Sequence, residues 1–419
     1  MTSIDVGMRA VAGDLERQLA HWLAAASTFT DAEEFASEPA WQSVEGDVGL
    51  PLRRHLSVIV QELIAMGRAG LALARSARRD TTDLVPAARA VQQFRQRYAQ
   101  VETTLDFFGD AVNSRTSPQL RAALQTLDGL ATASMTPVLR RAGLPPVPVL
   151  TYVDKGMGAS ILRSGIRLWV PGAINPVAAI KIVRHNLYRP TSLFHESGHQ
   201  VAHLTGWVPS VQATLATTLA ADSELAQMWT AWSSEIAADV FAFLHTGYAS
   251  ITALYDVVGD ARTILRWPIG DPHPVGWLRT LLGCALCRQV WGTGPWDDLE
   301  TAVVTANPLV RAEPTLRSLL ERSRVRLPAI AAACLDSPVP GLRGLPMTSV
   351  LDPARVSPAA LAQLERAAGA ALWVSTHWRR SDGIRLVALA GLREAEQPHE
   401  ARAWIDRART WMTASSAAA

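Results

Sequence analysis

Residues 195 to 199 read His-Glu-Ser-Gly-His. Side chains four apart on a helix share a face, so His195 and His199 can present two imidazole nitrogens to one Zn²⁺ at about 2.0–2.1 Å. Glu196 then lies beside the ion, where a carboxylate can hold and deprotonate a water molecule. The competing reading is a helix that carries two surface or core histidines. With ten His in 419 residues, this five-residue pattern arises by chance in only about one such chain in a hundred.

A catalytic zinc takes three protein ligands and keeps a fourth position for water, so another residue must join. His203 extends the stripe, but eight residues span about 12 Å of straight helix, too far to share an ion with His195. It reads as a neighbour of the site or a core histidine. The metzincin continuation requires Gly and His three and six residues after the second ligand; Ala202 and Thr205 stand there and exclude that class. The better source is Ser234-Glu235-Ile-Ala-Ala-Asp239. Glu235 and Asp239 are again four apart, so one carboxylate can bind metal while the other accepts the second ring N–H of a ligating histidine. An exposed acidic pair is the alternative, and the flanking Ile236, Ala237, Ala238, Val240, Phe241 and Phe243 argue against it.

With these residues in place the sequence resembles a family. HExxH followed by Glu235-x-x-Ala-Asp239 is similar to the gluzincin metallopeptidases. Asp271-Pro-His273-Pro274-Val-Gly-Trp-Leu-Arg279 resembles the His-Pro and Arg found downstream in the CAAX prenyl peptidases and their membrane heat-shock peptidase relatives. Gly158-Ala159-Ser160 and Ile166 to Val170 occupy the places of that family's edge strand and its neighbour. The resemblance covers about residues 145 to 290. It implies zinc-dependent hydrolysis of peptide bonds, with His195, His199 and Glu235 as ligands, Glu196 as general base and then acid, and Asp239 behind a histidine. It further implies that His273 or Arg279 stabilises the oxyanion or orders the site, and that backbone at Gly158, Ala159 and Ser160 pairs with an extended peptide. His273 has a competing role as cap of a helix starting at Pro274. Tyr248 reads as a helix-terminal core tyrosine in preference to an extra donor.

The elements that must position these residues follow from periodicity. Leu52, Leu56, Ile59, Leu63 and Met66 recur at helical spacing, Val91 to Phe108 repeats 3-4-3-4-3, and Leu120 to Leu130 follows Ser117-Pro118. These predict an N-terminal helical bundle over residues 1–145. After the Pro-rich link at 143–148, short β-rich runs are expected at Val147 to Val153, Ala159 to Arg163 and Ile166 to Val170. Helices are expected at Pro176 to Asn186, Thr191 to Leu204, Val211 to Leu219, Ser223 to His245 and His273 to Trp291. The predicted class is α+β, predominantly α-helical. A zincin-like core with a small sheet occupies 146–295, and a C-terminal helical region occupies 296–419.

Composition narrows the field further. Forty basic against 38 acidic residues give a net charge of +2, with no dense basic block, so nucleic acid is not an expected partner. No uninterrupted apolar stretch approaches the roughly 20 residues of a spanning helix. A soluble, cytoplasmic protein without membrane insertion is therefore expected, in contrast to many members of the family it resembles. Cys284 and Cys287 form a CxxC within an apolar run and read as core residues rather than a redox or metal pair. The leading function is a zinc metallopeptidase acting on peptide or protein substrates. Its alternative is a zinc-stabilised, non-catalytic scaffold that recruits a protein partner through its helical regions.

Overall fold

The computed structural model describes residues 3–168, 170, 172–268 and 270–414. Among the described residues the fold is mostly α-helical with one three-stranded sheet. Its contacts separate two compact units, Met1–Arg121 with Arg163–Ala178, and Ala122–Leu162 with Ala179–Ala419.

The first unit contains α1 (Ser3–Thr28), α2 (Glu38–Gln42), α3 (Leu50–Ala77) and α4 (Leu84–Asn113). Helices α1, α3 and α4 pack on one another. Leu52, Leu56, Ile59 and Leu63 of α3 are buried, as are Val91, Phe94, Val101, Leu105 and Phe108 of α4, so the expected seam is the packed face. Helix α3 is long and apolar enough, by length and composition, to cross a membrane, although no uninterrupted apolar stretch of that length runs through it. Exposed Glu62 and Arg68 interrupt it, and its apolar stripe is spent on α1 and α4.

Residues Ile166 to Val170 do not form the expected strand; Trp169 among them lies outside the described residues. The segment folds back on itself. Asn175 N–H donates to Ile166 O at 2.8 Å and Gly165 N–H to Asn175 O at 2.9 Å, with an isolated bridge between Arg167 and Ile174. The third strand instead lies where a helix was expected. Val177, Ala178, Ala179, Ile180, Ile182 and Val183 are all buried. A short run that is apolar on both faces has the same pattern in a central strand as in a buried helix, and periodicity does not separate them.

The second unit holds α5 (Pro118–Arg141) over most of its length and strands β1 (Val149–Val153), β2 (Ser160–Leu162) and β3 (Ala178–Ile182). Their order is β1-β3-β2, so β2 is an edge, antiparallel to β3, with Ser160 opposite Lys181 and Leu162 opposite Ala179. Asp128 of α5 fixes β1 by accepting the Thr151 N–H at 2.7 Å and its hydroxyl at 2.8 Å. The helices that follow are α6 (Thr191–Thr205), α7 (Trp207–Thr218), α8 (Ser223–Ala231), α9 (Ser233–Thr246), α10 (Tyr248–Val258) and α11 (Gly276–Trp291). Beyond them come α12 (Pro295–Ala306), α13 (Pro314–Asp336), α14 (Pro358–Ala368), α15 (Ala371–Val374), α16 (Thr376–Glu396) and α17 (Ala401–Thr413).

Two departures from the sequence reading bear on chemistry. The expected helix Ser223 to His245 breaks at Trp232, which puts Glu235 in the first turn of α9. The positive end of a helix dipole therefore lies near its carboxylate. The expected helix from His273 begins only at Gly276, leaving His273 in the preceding loop. Cys284 and Cys287 are buried free thiols in α11, as core residues should be.

Helices α6 and α9 pack closely, and the approach rests on Gly198 in the middle of the His-Glu-Ser-Gly-His run. A Cβ added there would stand 2.9 Å from both Ala238 Cα and Phe241 Cβ, and 3.1 Å from the Ala238 carbonyl oxygen. Helix α6 ends at Gly206, which adopts a left-handed φ of 69° and returns its N–H to Ala202 O, a role glycine fills without strain. Gly198→Ala is expected to push the helices apart and lower the unfolding free energy by about 1–3 kcal/mol, measured by urea denaturation. Gly129→Ala, where a Cβ meets nothing within 4 Å, should instead be neutral or stabilising by up to about 1 kcal/mol.

Candidate metal centre

Helix α6 supplies His195, Glu196 and His199; helix α9 supplies Ser234, Glu235 and Asp239; helix α11 supplies Arg279. His195 Nε2 and His199 Nε2 are 3.2 Å apart. Each lies 3.3 Å from a Glu235 oxygen, Oε2 for His195 and Oε1 for His199. Donors at about 2.0–2.1 Å from a tetrahedral ion are separated by about 3.3–3.4 Å, so the two nitrogens, and each nitrogen with its nearer Glu235 oxygen, stand close to the spacing such an ion needs. His195, His199 and Glu235 could hold a metal ion. The donor set is nitrogen and oxygen without sulfur, which suits Zn²⁺ and other borderline divalent ions.

Each imidazole is held from behind. Asp239 Oδ1 accepts from His195 Nδ1 at 2.8 Å, which leaves Nε2 to carry either a proton or a metal ion. Ser234 Oγ is 3.3 Å from His199 Nδ1 and does the same for the second ring. Asp239 is in turn gripped by Arg279, with Nε donating to Oδ2 at 2.6 Å and Nη2 to Oδ1 at 2.8 Å. The same Nη2 reaches Glu235 Oε2 at 3.4 Å. Arg279 thus donates to both carboxylates.

The electrostatics follow from burial and these pairs. Burial raises the Asp239 pKa, but Arg279 and His195 outweigh it and bring it to about 2. Burial likewise opposes ionisation of Glu235, and the two imidazoles with Arg279 hold it well below the usual carboxylate range. For His195, burial disfavours the imidazolium, yet Asp239 and Glu235 prevail and raise the pKa to about 10. Glu196 differs. It is 6% exposed, it forms no hydrogen bond or ion pair among the described residues, and burial pushes its pKa up.

His273 is brought to the site. Its Nε2 lies 3.5 Å from Glu235 Oε2, and its Nδ1 and backbone N–H both engage Asp271 Oδ1, at 2.7 and 3.0 Å. It does not cap a helix, since the N-cap position of α11 is Val275. Tyr248 is elsewhere, its hydroxyl donating to the Pro295 carbonyl at 3.3 Å. His203 is exposed in the last turn of α6. Ser160 is exposed at the start of edge strand β2, with Gly158 and Ala159 in the loop before it. Sequence reasoning assigned no role to Ser234 or Asp271, although each stands within two residues of a site residue. It also missed Tyr152 of β1, a half-buried phenol pushed up to about 12 by burial and the charges of Asp154 and Glu196.

No family model, curated protein or solved structure matches this chain.

A proton and a cation compete for His195. Metal affinity should therefore rise as pH is raised through neutrality, and binding at pH 7 should release about one proton from His195. Titration calorimetry in buffers of different ionisation enthalpy measures that release. Asp239→Asn should weaken metal binding about 10–100-fold, read by competition with a chelating dye.

Proposed function

We propose that the chain is a zinc-dependent metallopeptidase of the gluzincin type. The observation that carries the reading is the cluster of His195, His199 and Glu235, whose ligand atoms all lie within 4.8 Å of one another, with Glu196 buried beside it and without a hydrogen bond or ion pair among the described residues. When bound, Zn²⁺ supplies Lewis-acid polarisation of a carbonyl and brings the pKa of a water molecule toward 7.

The chain's own residues do the rest. Glu196 accepts a proton from the attacking water and delivers it to the departing amine nitrogen as the C–N bond breaks. The upward push of burial on its pKa favours a group that must both take and give that proton. Asp239 and Ser234 keep the imidazoles in the ligating tautomer, and Arg279 holds Asp239 in place. His273, half-exposed and oriented by Asp271, donates to the carbonyl oxygen as it gains negative charge. The free edge of β2 pairs with the main chain of an extended peptide.

One observation supports a second reading. His273 Nε2 approaches Glu235 to 3.5 Å, so His273 could complete a closed set of four ligands, as in a structural zinc site that stabilises a scaffold for a protein partner. Glu196→Gln separates the two. The peptidase reading expects metal content to be retained and hydrolysis of casein or a peptide library to fall by at least about 100-fold. Retained metal with no turnover in the wild-type protein would sink it. His273→Ala adds a second discriminator: the peptidase should keep its metal and lose kcat, whereas the structural site should lose metal affinity and thermal stability together.

A further inference from the structure

The second unit contains a cavity of about 720 Å³ away from the metal centre. Its walls come from α5, the C-terminal end of α9, the segment around Val350 to Val356, the start of α16 and the end of α17. Helix α9 reaches it at Leu244 and His245, ten residues beyond Glu235, or about 15 Å along the helix. The volume is that of a small-molecule site.

Charge and unmet hydrogen bonds distinguish this cavity. Arg355, Arg379, Arg380 and Arg385 line it with Asp352 and Asp382. Asp382 is spent on Arg385 at 2.8 Å, and Asp352 accepts the Ala354 N–H at 2.9 Å. Arg355, Arg379 and Arg380 have no carboxylate partner among the described residues. Two further donors in the lining residues, Arg379 Nε and Trp411 Nε1, are buried without an acceptor, and His245, 7% exposed, has an unpartnered Nε2. Buried polar groups are ordinarily satisfied, so these three atoms are open to a partner, although Arg379 Nη2 already donates to the Val374 carbonyl at 2.9 Å. The remaining wall is apolar, with Leu130, Leu244, Val356 and Ile384. At the cavity wall α16 leaves helical geometry, at Asp382 (φ −128°, ψ 17°).

We propose that this cavity binds a small amphiphilic organic anion, a carboxylate or phosphate monoester bearing an apolar chain or ring. The arginines take the anionic head, where guanidinium groups match carboxylate and phosphate geometry. The apolar wall takes the body. A bare inorganic anion would leave that wall unused, and a neutral amphiphile would leave three guanidinium charges without a counterion.

Titration calorimetry on the full chain with decanoate and decyl phosphate, against decanol and inorganic phosphate, tests this. Saturable one-site binding of decanoate or decyl phosphate is expected, with both controls at least about tenfold weaker. The better of the two anions identifies the head group. Arg355→Ala/Arg380→Ala, two exposed positions, should weaken the anion about tenfold or more. Gly129→Phe, which builds into the cavity from a site where a Cβ meets nothing within 4 Å, should abolish binding with the thermal midpoint retained. Glu196→Gln should bind as the wild type does. Equal binding of decanol and decanoate, binding that survives both cavity variants, or no binding of either anion would each overturn the proposal.

Discussion

Buried charge is the constraint around which the second unit is organised. Glu235 and Asp239 stand on a helix whose other residues are Ile236, Ala237, Ala238, Val240, Phe241 and Phe243, and an ionised carboxylate in such surroundings costs several kcal/mol. Arg279 offsets part of that cost through its fork on Asp239 and its reach to Glu235. The first turn of α9 offsets another part. With Glu235 and Asp239 ionised, one guanidinium leaves the cluster a charge short of neutral, and the two imidazole lone pairs converge on the same point. Cation affinity is the direct consequence of that imbalance. A proton on His195 is one way to meet it, which is why its pKa climbs despite burial; a divalent ion is the other.

The arrangement works only because two helices come nearly into backbone contact. Gly198 sits opposite Ala238, whose methyl-sized side chain keeps the facing surface of α9 low. A larger residue at either place would lengthen the distance from His195 and His199 to Glu235, and the 3.2–3.3 Å spacing leaves little to give. The same glycine is therefore a packing residue and a metal-site residue, although it touches no ligand atom. The break at Trp232 contributes as well. An unbroken α8–α9 helix would deny Glu235 the helix N-terminus and would carry Ser234 in a continuous ladder rather than at the first turn, beside His199.

How much was legible in the sequence depended on whether the information was local. His195, Glu196 and His199 announced themselves because four-residue spacing on one helix determines their geometry without reference to anything else. Glu235 and Asp239 were visible by the same rule, helped by the apolar residues around them. The long helices α3 and α4 showed in their seams. The strand Ala178–Ile182 was taken for helix because an apolar run buried on both faces has no period to read. Asp271 gave no signal of its own, because a local Asp-Pro-His loop that closes onto its ring at 2.7 Å has no period to read, and Ser234 gave none because a serine before a glutamate is unremarkable until tertiary structure brings the His199 ring nitrogen to 3.3 Å. The arginine-lined cavity was invisible for the same reason, since Gln125, His245, Arg355 and Arg380 meet only in the folded chain.

Three carboxylates within one small site have been driven apart, and the separation argues for the division of labour between them. Glu235 and Asp239 are bound to cationic partners and stay ionised far below neutral pH. A group in that state is a good ligand or a good anchor for an imidazole and a poor proton carrier, because it yields too little when asked to take a proton. Glu196 forms no hydrogen bond or ion pair among the described residues and is pushed the other way by burial. Environments that split chemically identical groups in this manner mark acid–base roles. On the peptidase reading the reacting proton must go through Glu196, since the other two acids are committed to holding charge in place. The primary sequence offers three similar side chains; only their neighbours, Arg279 above all, hold two of them ionised, while burial raises the third.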